Sequence, residues 1–403
     1  MSTRSTASTP NQVGGADRAP AQVLRLAFAL FLSYLAVASA LPVVSTYTVH
    51  RLHLSNAMGG LAVGIAFFST ILTRNYAGRL VDQHGGRYAM RRGLLIYSVA
   101  SLICLLSLLP FFGAAIGFVV LLAGRLLLGV GESLVVVGML GWGIGLMGAP
   151  RSGKVMAWVG AGMYGAFAVG GPLGLGLYDA WGFAGVMAAA ILFPLLGLAL
   201  IQGVAGVTPQ AGRRESFWRI IGRIWRAGAA VGLQGVGFAA LGAFISLYFQ
   251  QKGWPYAGVG LTAFGVGFVL VRMVCGSLPD RIGGSRVAIV SLIVEAIGQF
   301  LIWSAPGPAL ALVGALLTGL GCSMVFPGMG SEVVKQVPPQ LRGTAVGGFA
   351  AFQDIAYGAT GPVAGVLADH AGYAMVFLIG GICALLGLAA AISAHRQPAA
   401  ESS

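Results

Sequence analysis

Four ionisable side chains sit inside long apolar stretches of this sequence: Arg125, Glu132, Glu295 and Asp354. A charge at the centre of a bilayer costs roughly 2.5–3.5 kcal/mol even on lenient insertion scales, so function is the first hypothesis for such residues. Arg125 falls about ten residues into its apolar run and Asp354 about eleven into another, which puts both near a membrane midplane. Glu132 follows Arg125 on the same face of a helix, about 10.5 Å further along the axis. That is too far for a direct pair, so each needs a partner or water elsewhere. The chemistry open to them is proton binding. Desolvation favours a neutral carboxyl and a nearby guanidinium favours a charged one. Moving an arginine or a substrate toward and away from the acid therefore loads and unloads a proton. Asp354 and Glu132 are the candidate proton carriers, Asp354 first. The competing reading is structural pairing, with no proton moved.

Such groups must be positioned by elements that tolerate hydrocarbon. The chain has 403 residues, 57% hydrophobic and 9% charged, and a mean hydropathy of +0.86. A soluble chain carries about a quarter charged residues. The expected fold class is an all-α polytopic membrane protein. Hydropathy places twelve spans, at 24–48, 57–77, 93–112, 115–139, 155–178, 183–205, 227–250, 258–277, 287–304, 308–330, 343–368 and 373–394. The first run exceeds a signal-peptide core of roughly 7–15 residues and reads as a retained span. Residues 1–20, rich in Ser, Thr and Gly, and residues 395–403 read as cytoplasmic tails.

The net charge of +13 does not point to nucleic acid, because position explains it. With both termini cytoplasmic, Arg51 and Lys252 lie outside, Arg125 lies in the membrane, and 21 of the 24 Lys and Arg face the cytoplasm. That is the positive-inside pattern. The four cysteines, Cys104, Cys275, Cys322 and Cys383, form no CxxC pair and read as buried packing residues.

The longest polar interruption, 208–226, interleaves Arg213, Arg214, Arg219, Arg223 and Arg226 with Phe217, Trp218, Ile220, Ile221 and Trp225. It fits an amphipathic helix on the anionic inner leaflet, or else a solvated linker. The expected organisation is a six-helix bundle at 21–205, the linker at 206–226 and a second bundle at 227–394. The halves repeat. Arg74, Gly78, Leu80, Asp82, Gly85 and Gly86 recur 198 residues later as Arg272, Gly276, Leu278, Asp280, Gly283 and Gly284. At an offset of 190, "LLLGVGES" from Leu126 returns as "LLTGLGCS", and Gly153, Gly171, Pro172, Asp179 and Gly182 return as Gly343, Gly361, Pro362, Asp369 and Gly372. An even number of spans per half makes the repeat parallel, an arrangement that lets one bundle rock against the other.

"GRLVDQHGGR", between spans 2 and 3, resembles the signature loop of the major facilitator superfamily: Gly78, Leu80, Asp82, Gly85 and Arg87 fit, and Gln83 stands where an arginine is usual. In the second copy Gly276, Leu278, Asp280, Gly283 and Arg286 fit, and Arg281 restores that arginine. The general look also resembles the YhhS/YfcJ-type branch. The resemblance implies the major facilitator fold of two parallel six-helix repeats. It further implies that Asp82 docks at the start of span 11, on the backbone of Gly343 to Val346, and that Asp280 docks near Gly153 to Val155. Both are candidate gating contacts, together with Gly78, Gly85, Arg87, Gly276, Arg281 and Gly283. Physically, an aspartate accepts what a helix N-terminus offers, and glycine supplies a positive φ or a close approach. The plainer reading is turn-making under the positive-inside pattern. "GRLLLGVGES" resembles the family's span 4 motif associated with proton coupling, which brings Arg125 into the coupling set. In this family span 9 is peripheral, so Glu295 reads as structural.

Gly171, Pro172 and Gly176 partly fit the span 5 antiporter signature, with Leu175 in place of a glycine. "GAPRSGKV" matches GxxxxGK but ends in Val155 where a phosphate loop needs Ser or Thr, and no HExxH or GxSxG occurs. No enzyme, cofactor or metal is expected; His50, His53, Asp179, Asp369 and His370 are too dispersed for a metal site. The family resemblance lines the substrate cavity with spans 1, 4, 7 and 10, helped by 2, 5, 8 and 11. Tyr34, Tyr164, Gln234, Phe326, Gln353 and Tyr357 are then the candidate contacts, any of which could equally be packing. The expected function is a proton-coupled inner-membrane transporter, exporting a small organic molecule by antiport and working as a monomer. The alternative is a proton symporter importing a sugar or similar solute; a channel or membrane enzyme is more distant.

Overall fold

In lipid every backbone polar group must be satisfied within its own segment, so apolar runs of this length have to become helices. The computed structural model describes residues 19–148, 151–208, 217–276, 278–337 and 342–395, and every regular element among them is helical. These are α1 (Ala19–Thr46, continued by a π turn Tyr47–Arg51), α2 (Asn56–His84), α3 (Gly86–Leu106), α4 (Ala114–Met147), α5 (Ser152–Leu200) and α6 (Phe217–Gln251). There follow α7 (Val259–Cys275), the short α8 (Leu278–Ile282), α9 (Gly284–Trp303), α10 (Pro308–Lys335), α11 (Arg342–Ala371) and α12 (Tyr373–His395). Among the described residues nine helices are long and apolar enough to cross a membrane, and α7 is a shorter apolar one. Helix α5 is really two segments, since Gly182 breaks it with φ 64° and ψ −164°. Each of the twelve apolar runs falls on a helix, the fifth and sixth sharing α5.

Two boundaries differ from the expectation. The basic stretch 208–226 does not end before the seventh span: from Phe217 onward it is the opening of α6 itself. Residues 209–216 lie outside the described residues. The signature segment between the second and third spans is not a loop. Helix α2 reaches His84 and α3 starts at Gly86, so the chain reverses over Gly85 alone, at φ 85°. Its counterpart Gly283 has φ 93°. Only glycine takes such angles readily, which explains why these positions repeat.

Packing follows the repeat. Helix α3 lies on α4 as α9 lies on α10, α2 on α4 as α7 on α10, and α3 on α5 as α9 on α12. Across the halves, α2 packs on α11, α5 on α7 and α1 on α6. Helix association in lipid relies on close packing, and small residues permit it. Gly60 and Gly64 of α2 face Gly361 and Gly358 of α11 so closely that a Cβ at either α2 position would overlap the opposing carbonyl. The outward faces stay apolar: Leu72 is 80% and Met273 81% exposed, as lipid-facing side chains should be.

Candidate functional site

Both candidate carboxylates come to one stripe of α2. Thr70 and Arg74 are one turn apart on this helix and so share a face. The hydroxyl of Thr70 lies 3.5 Å from Oε2 of Glu132, on α4. The guanidinium of Arg74 forms an ion pair of 2.6 Å with Asp354, on α11. Glu132 also accepts a 2.8 Å hydrogen bond from the Tyr34 hydroxyl of α1. Glu132, Asp354 and Tyr34 are all buried. The arrangement therefore joins helices of both halves through two acids and one arginine.

Arg125 is elsewhere engaged. Only 1% exposed, it donates from Nε to the Ala62 carbonyl at 2.9 Å and from Nη2 to the Val63 carbonyl at 3.1 Å. It clamps α4 to α2 through backbone oxygens, and among the described residues it has no ion pair. The arginine that meets an acid is Arg74, which hydropathy counting had assigned to the cytoplasmic side. Its signal was its place in the 198-residue repeat, opposite Arg272.

The substrate candidates separate into groups. Tyr357 lines a small apolar cavity of about 10 Å³, room for no more than a water, together with Leu41, Val63, Phe67, Phe238, Ala239, Gly242 and Gly361. Phe67 and Phe238 stand 5.2 and 5.0 Å from the Tyr357 ring, so α2, α6 and α11 share one aromatic cluster. Tyr34 and Tyr164 touch its edge through Phe167. Gln353 donates to Gln234 at 3.3 Å, bridging α11 and α6. Phe326 packs on Phe349 at 4.9 Å, in a separate apolar cluster of the second half.

Glu295 is fully buried, with the Cys322 and Gln234 side chains beside its carboxyl group. Beside it Gln299 donates to the Gly237 carbonyl at 3.2 Å.

The ends of α2 and α11 hold a contact that the sequence reading missed. Asp369 accepts from the backbone N–H of Asn56 at 3.0 Å, from that of Ala57 at 3.1 Å, and from the Asn56 side chain at 2.7 Å. The Tyr373 hydroxyl closes the group by donating to Asn56 Oδ1 at 2.6 Å. An aspartate of one half thus caps the first turn of a helix in the other, where unpaired N–H groups and a partial positive charge collect. Asp369 stands two residues before the end of α11, and Asp82 stands two before the end of α2. At the Gly85 end, the expected donors Gly343, Thr344 and Val346 lie outside the described side chains, as do Asp280 and Gly153. Glu332 is a further unanticipated contact there, accepting from the Gly284 N–H at 3.1 Å.

Residues 26–261 and 227–403 each match the profile of the Major Facilitator Superfamily. The chain belongs to that superfamily. An uncharacterised MFS-type transporter of Salmonella typhimurium is 43% identical over 375 residues, covering 93% of this chain and 97% of its own. One from Pseudomonas aeruginosa strain UCBPP-PA14 is 37% identical over 388 residues, covering 96% of both chains. Among solved structures, a D-xylose-proton symporter superposes with a TM-score of 0.78 at 17% identity, covering 96% of this chain and 99% of that one. The nucleoside transporter NupG gives 0.71 at 14% identity, covering 94% and 100%. This facilitator therefore has the superfamily's fold and is a multi-pass membrane transporter.

Proposed function

We propose that this facilitator is a proton-coupled exporter of small organic solutes, working by antiport and alternating access in a bacterial inner membrane. The observation that carries the reading is the Arg74–Asp354 ion pair between α2 and α11, one turn from the Thr70–Glu132 contact. When Asp354 takes a proton its charge is lost, and Arg74 is released toward the remaining carboxylate, Glu132. The pair that joins the halves is thereby broken by the coupling ion. Arg125 holds α2 in register, and Tyr34 orients Glu132.

The solute is received at the aromatic cluster around Tyr357 once α2, α6 and α11 part; that apolar lining suits a compact molecule with an apolar face. The gates are reciprocal. Asp369 seals the outer ends of α2 and α11, and Asp82, docked at the start of α11, seals their cytoplasmic ends, with Asp280 as its weaker counterpart. The two seals open in turn. Positive-inside topology, with both termini cytoplasmic, sets which end is which. The two bundles, 21–205 and 227–394, move as units, and the basic segment before α6 rests on anionic lipid. The protein acts as a monomer.

Proteoliposomes test this. With a pH gradient as the sole driving force, a solute found by a thermal-stability screen should be driven against the proton flow. Movement with the proton flow would make the protein a symporter instead. Transport indifferent to the gradient would remove the proton from the account.

A further inference from the structure

Helix α3 carries a basic pocket apart from the acids of the α2–α11 contact and from the cluster around Tyr357. His84, Arg87, Tyr88, Arg91, Arg92 and Leu95 line it from the end of α2 and the start of α3, with Gly206 and Val207; the space is about 440 Å³. Aromatic stacking shapes the floor: His84 lies on Tyr88 at 4.9 Å, and the Arg92 guanidinium sits 4.4 Å from the same ring. Among the described residues no carboxylate pairs with Arg87, Arg91 or Arg92. Three guanidinium groups with free donor edges converge on one space at the first turns of a helix, where the backbone adds partial positive charge.

What lies beyond the pocket fixes the ligand class. Leu95, Val99, Leu102 and Leu106 are 46%, 48%, 45% and 42% exposed and follow one another at helical spacing along α3. They form an apolar track leading away from the arginines, about 16 Å long at 1.5 Å per residue, which is half a bilayer's hydrocarbon thickness. A soluble phosphate would need the arginines alone. A charged head at one end and an acyl-length track below it describe a phospholipid.

We propose that this pocket binds one anionic phospholipid, its phosphate on Arg87, Arg91 and Arg92 and one acyl chain along Leu95 to Leu106. The bound lipid ties the α2–α3 reversal to the segment at Gly206 that leads toward α6. That segment is already held by Trp142, whose indole donates to the Ala205 carbonyl at 2.7 Å. The site is separate from any contact of the basic segment before α6 with the leaflet, and it stands whether or not transport is proton-coupled.

Native mass spectrometry of the purified full-length protein, released from detergent after addition of phosphatidylglycerol or phosphatidylcholine, tests it. Wild type should retain one phosphatidylglycerol in preference to phosphatidylcholine. The Arg91→Gln/Arg92→Gln double variant should bind it about thirtyfold more weakly, from the loss of two surface cations. Retention at wild-type affinity by the variant overturns the proposal. So does equal thermal stabilisation of lipid-free protein by inorganic phosphate, which would make this a free-anion site. If the variant does not fold, wild type still decides: a phosphatidylglycerol carrying a photoreactive acyl chain should label residues 95–106, and labelling confined to other helices overturns the assignment.

Discussion

Helices α2 and α11 meet across the two halves, as do α7 and the first segment of α5, and the repeat makes these pairs equivalent. Their contents are opposite. At the α2–α11 contact Arg74 meets Asp354, and Asp369 caps the start of α2. At the α5–α7 contact the counterparts are Arg272 and Tyr164. Arg272 lies 5.7 Å from the Phe268 ring and beside Gly160, and Tyr164 stacks on Phe268 at 3.5 Å. Asp179, the counterpart of Asp369, has no such cap among the described residues. The reason is visible in the chain: α2 starts at Asn56, but the matching helix starts only at Val259, after Trp254 and Pro255. Proline has no N–H to offer. One contact holds an ion pair and the other an aromatic stack. Under the proposed function, coupling belongs to the α2–α11 side, and the difference between the two contacts can be tested.

The largest expected effect is on that side. Asp354→Asn should abolish uphill transport driven by a pH gradient while leaving solute binding and solute exchange largely intact, because asparagine keeps the shape and some of the hydrogen bonding. Glu132→Gln is the parallel measurement, and the variant that uncouples identifies the carrier. If both still concentrate solute on a pH gradient alone, neither acid carries the proton. Arg74→Gln and Arg272→Gln sharpen the contrast. The first leaves Asp354 buried without its partner, a loss of roughly 3–5 kcal/mol for a buried pair before discounting for the partial exposure of Arg74. The second removes a cation stacked beside an aromatic ring, roughly 0.5–2 kcal/mol. Equal loss of coupling in the two would break the comparison.

Intermediate effects belong to the ends. Asp369→Asn keeps one acceptor but removes the charge from the first turn of α2, about 1 kcal/mol. It should raise labelling of cysteines placed in the cavity by reagents added from outside. Asp179→Asn should leave that labelling unchanged. Asp82→Asn should raise labelling from the cytoplasmic side, with a smaller rise for Asp280→Asn. Unchanged labelling in both would end the latch on that side.

These contrasts also mark what could be read from sequence. The apolar runs, the two offsets, the glycines at the reversals and the acids within apolar runs are all local or periodic signals; the helices and Gly85 follow them, and Glu132 and Asp354 are buried. Arg74 was hidden because it closes an apolar run, where hydropathy cannot tell a cytoplasmic cation from one turned inward along its helix. The Asp369 cap joins residues 313 positions apart, and no periodicity reports such a contact. Arg125 was picked out for its burial. Its carbonyl partners on α2 could not be inferred, because any helix offers carbonyls only where its register exposes them to a donor.

The smallest expected effect separates burial from function. Glu295 on α9 and Tyr97 on α3 are counterparts in the repeat, and the backbones of Gly321 and Gly131 press on them in the same way. Both side chains are fully buried, and the Tyr97 hydroxyl has no hydrogen-bond partner among the described residues. A glutamine at 295 keeps the shape and an acceptor oxygen beside Cys322 and Gln234, so Glu295→Gln should shift the thermal midpoint little and leave transport on a pH gradient intact. Tyr97→Phe should do the same, since it removes one unbonded hydroxyl. Single-point thermal and proteoliposome measurements suffice for both. Loss of gradient-driven transport in Glu295→Gln, with solute exchange preserved, would place a coupling acid inside the second half and displace the α2–α11 contact from its central role.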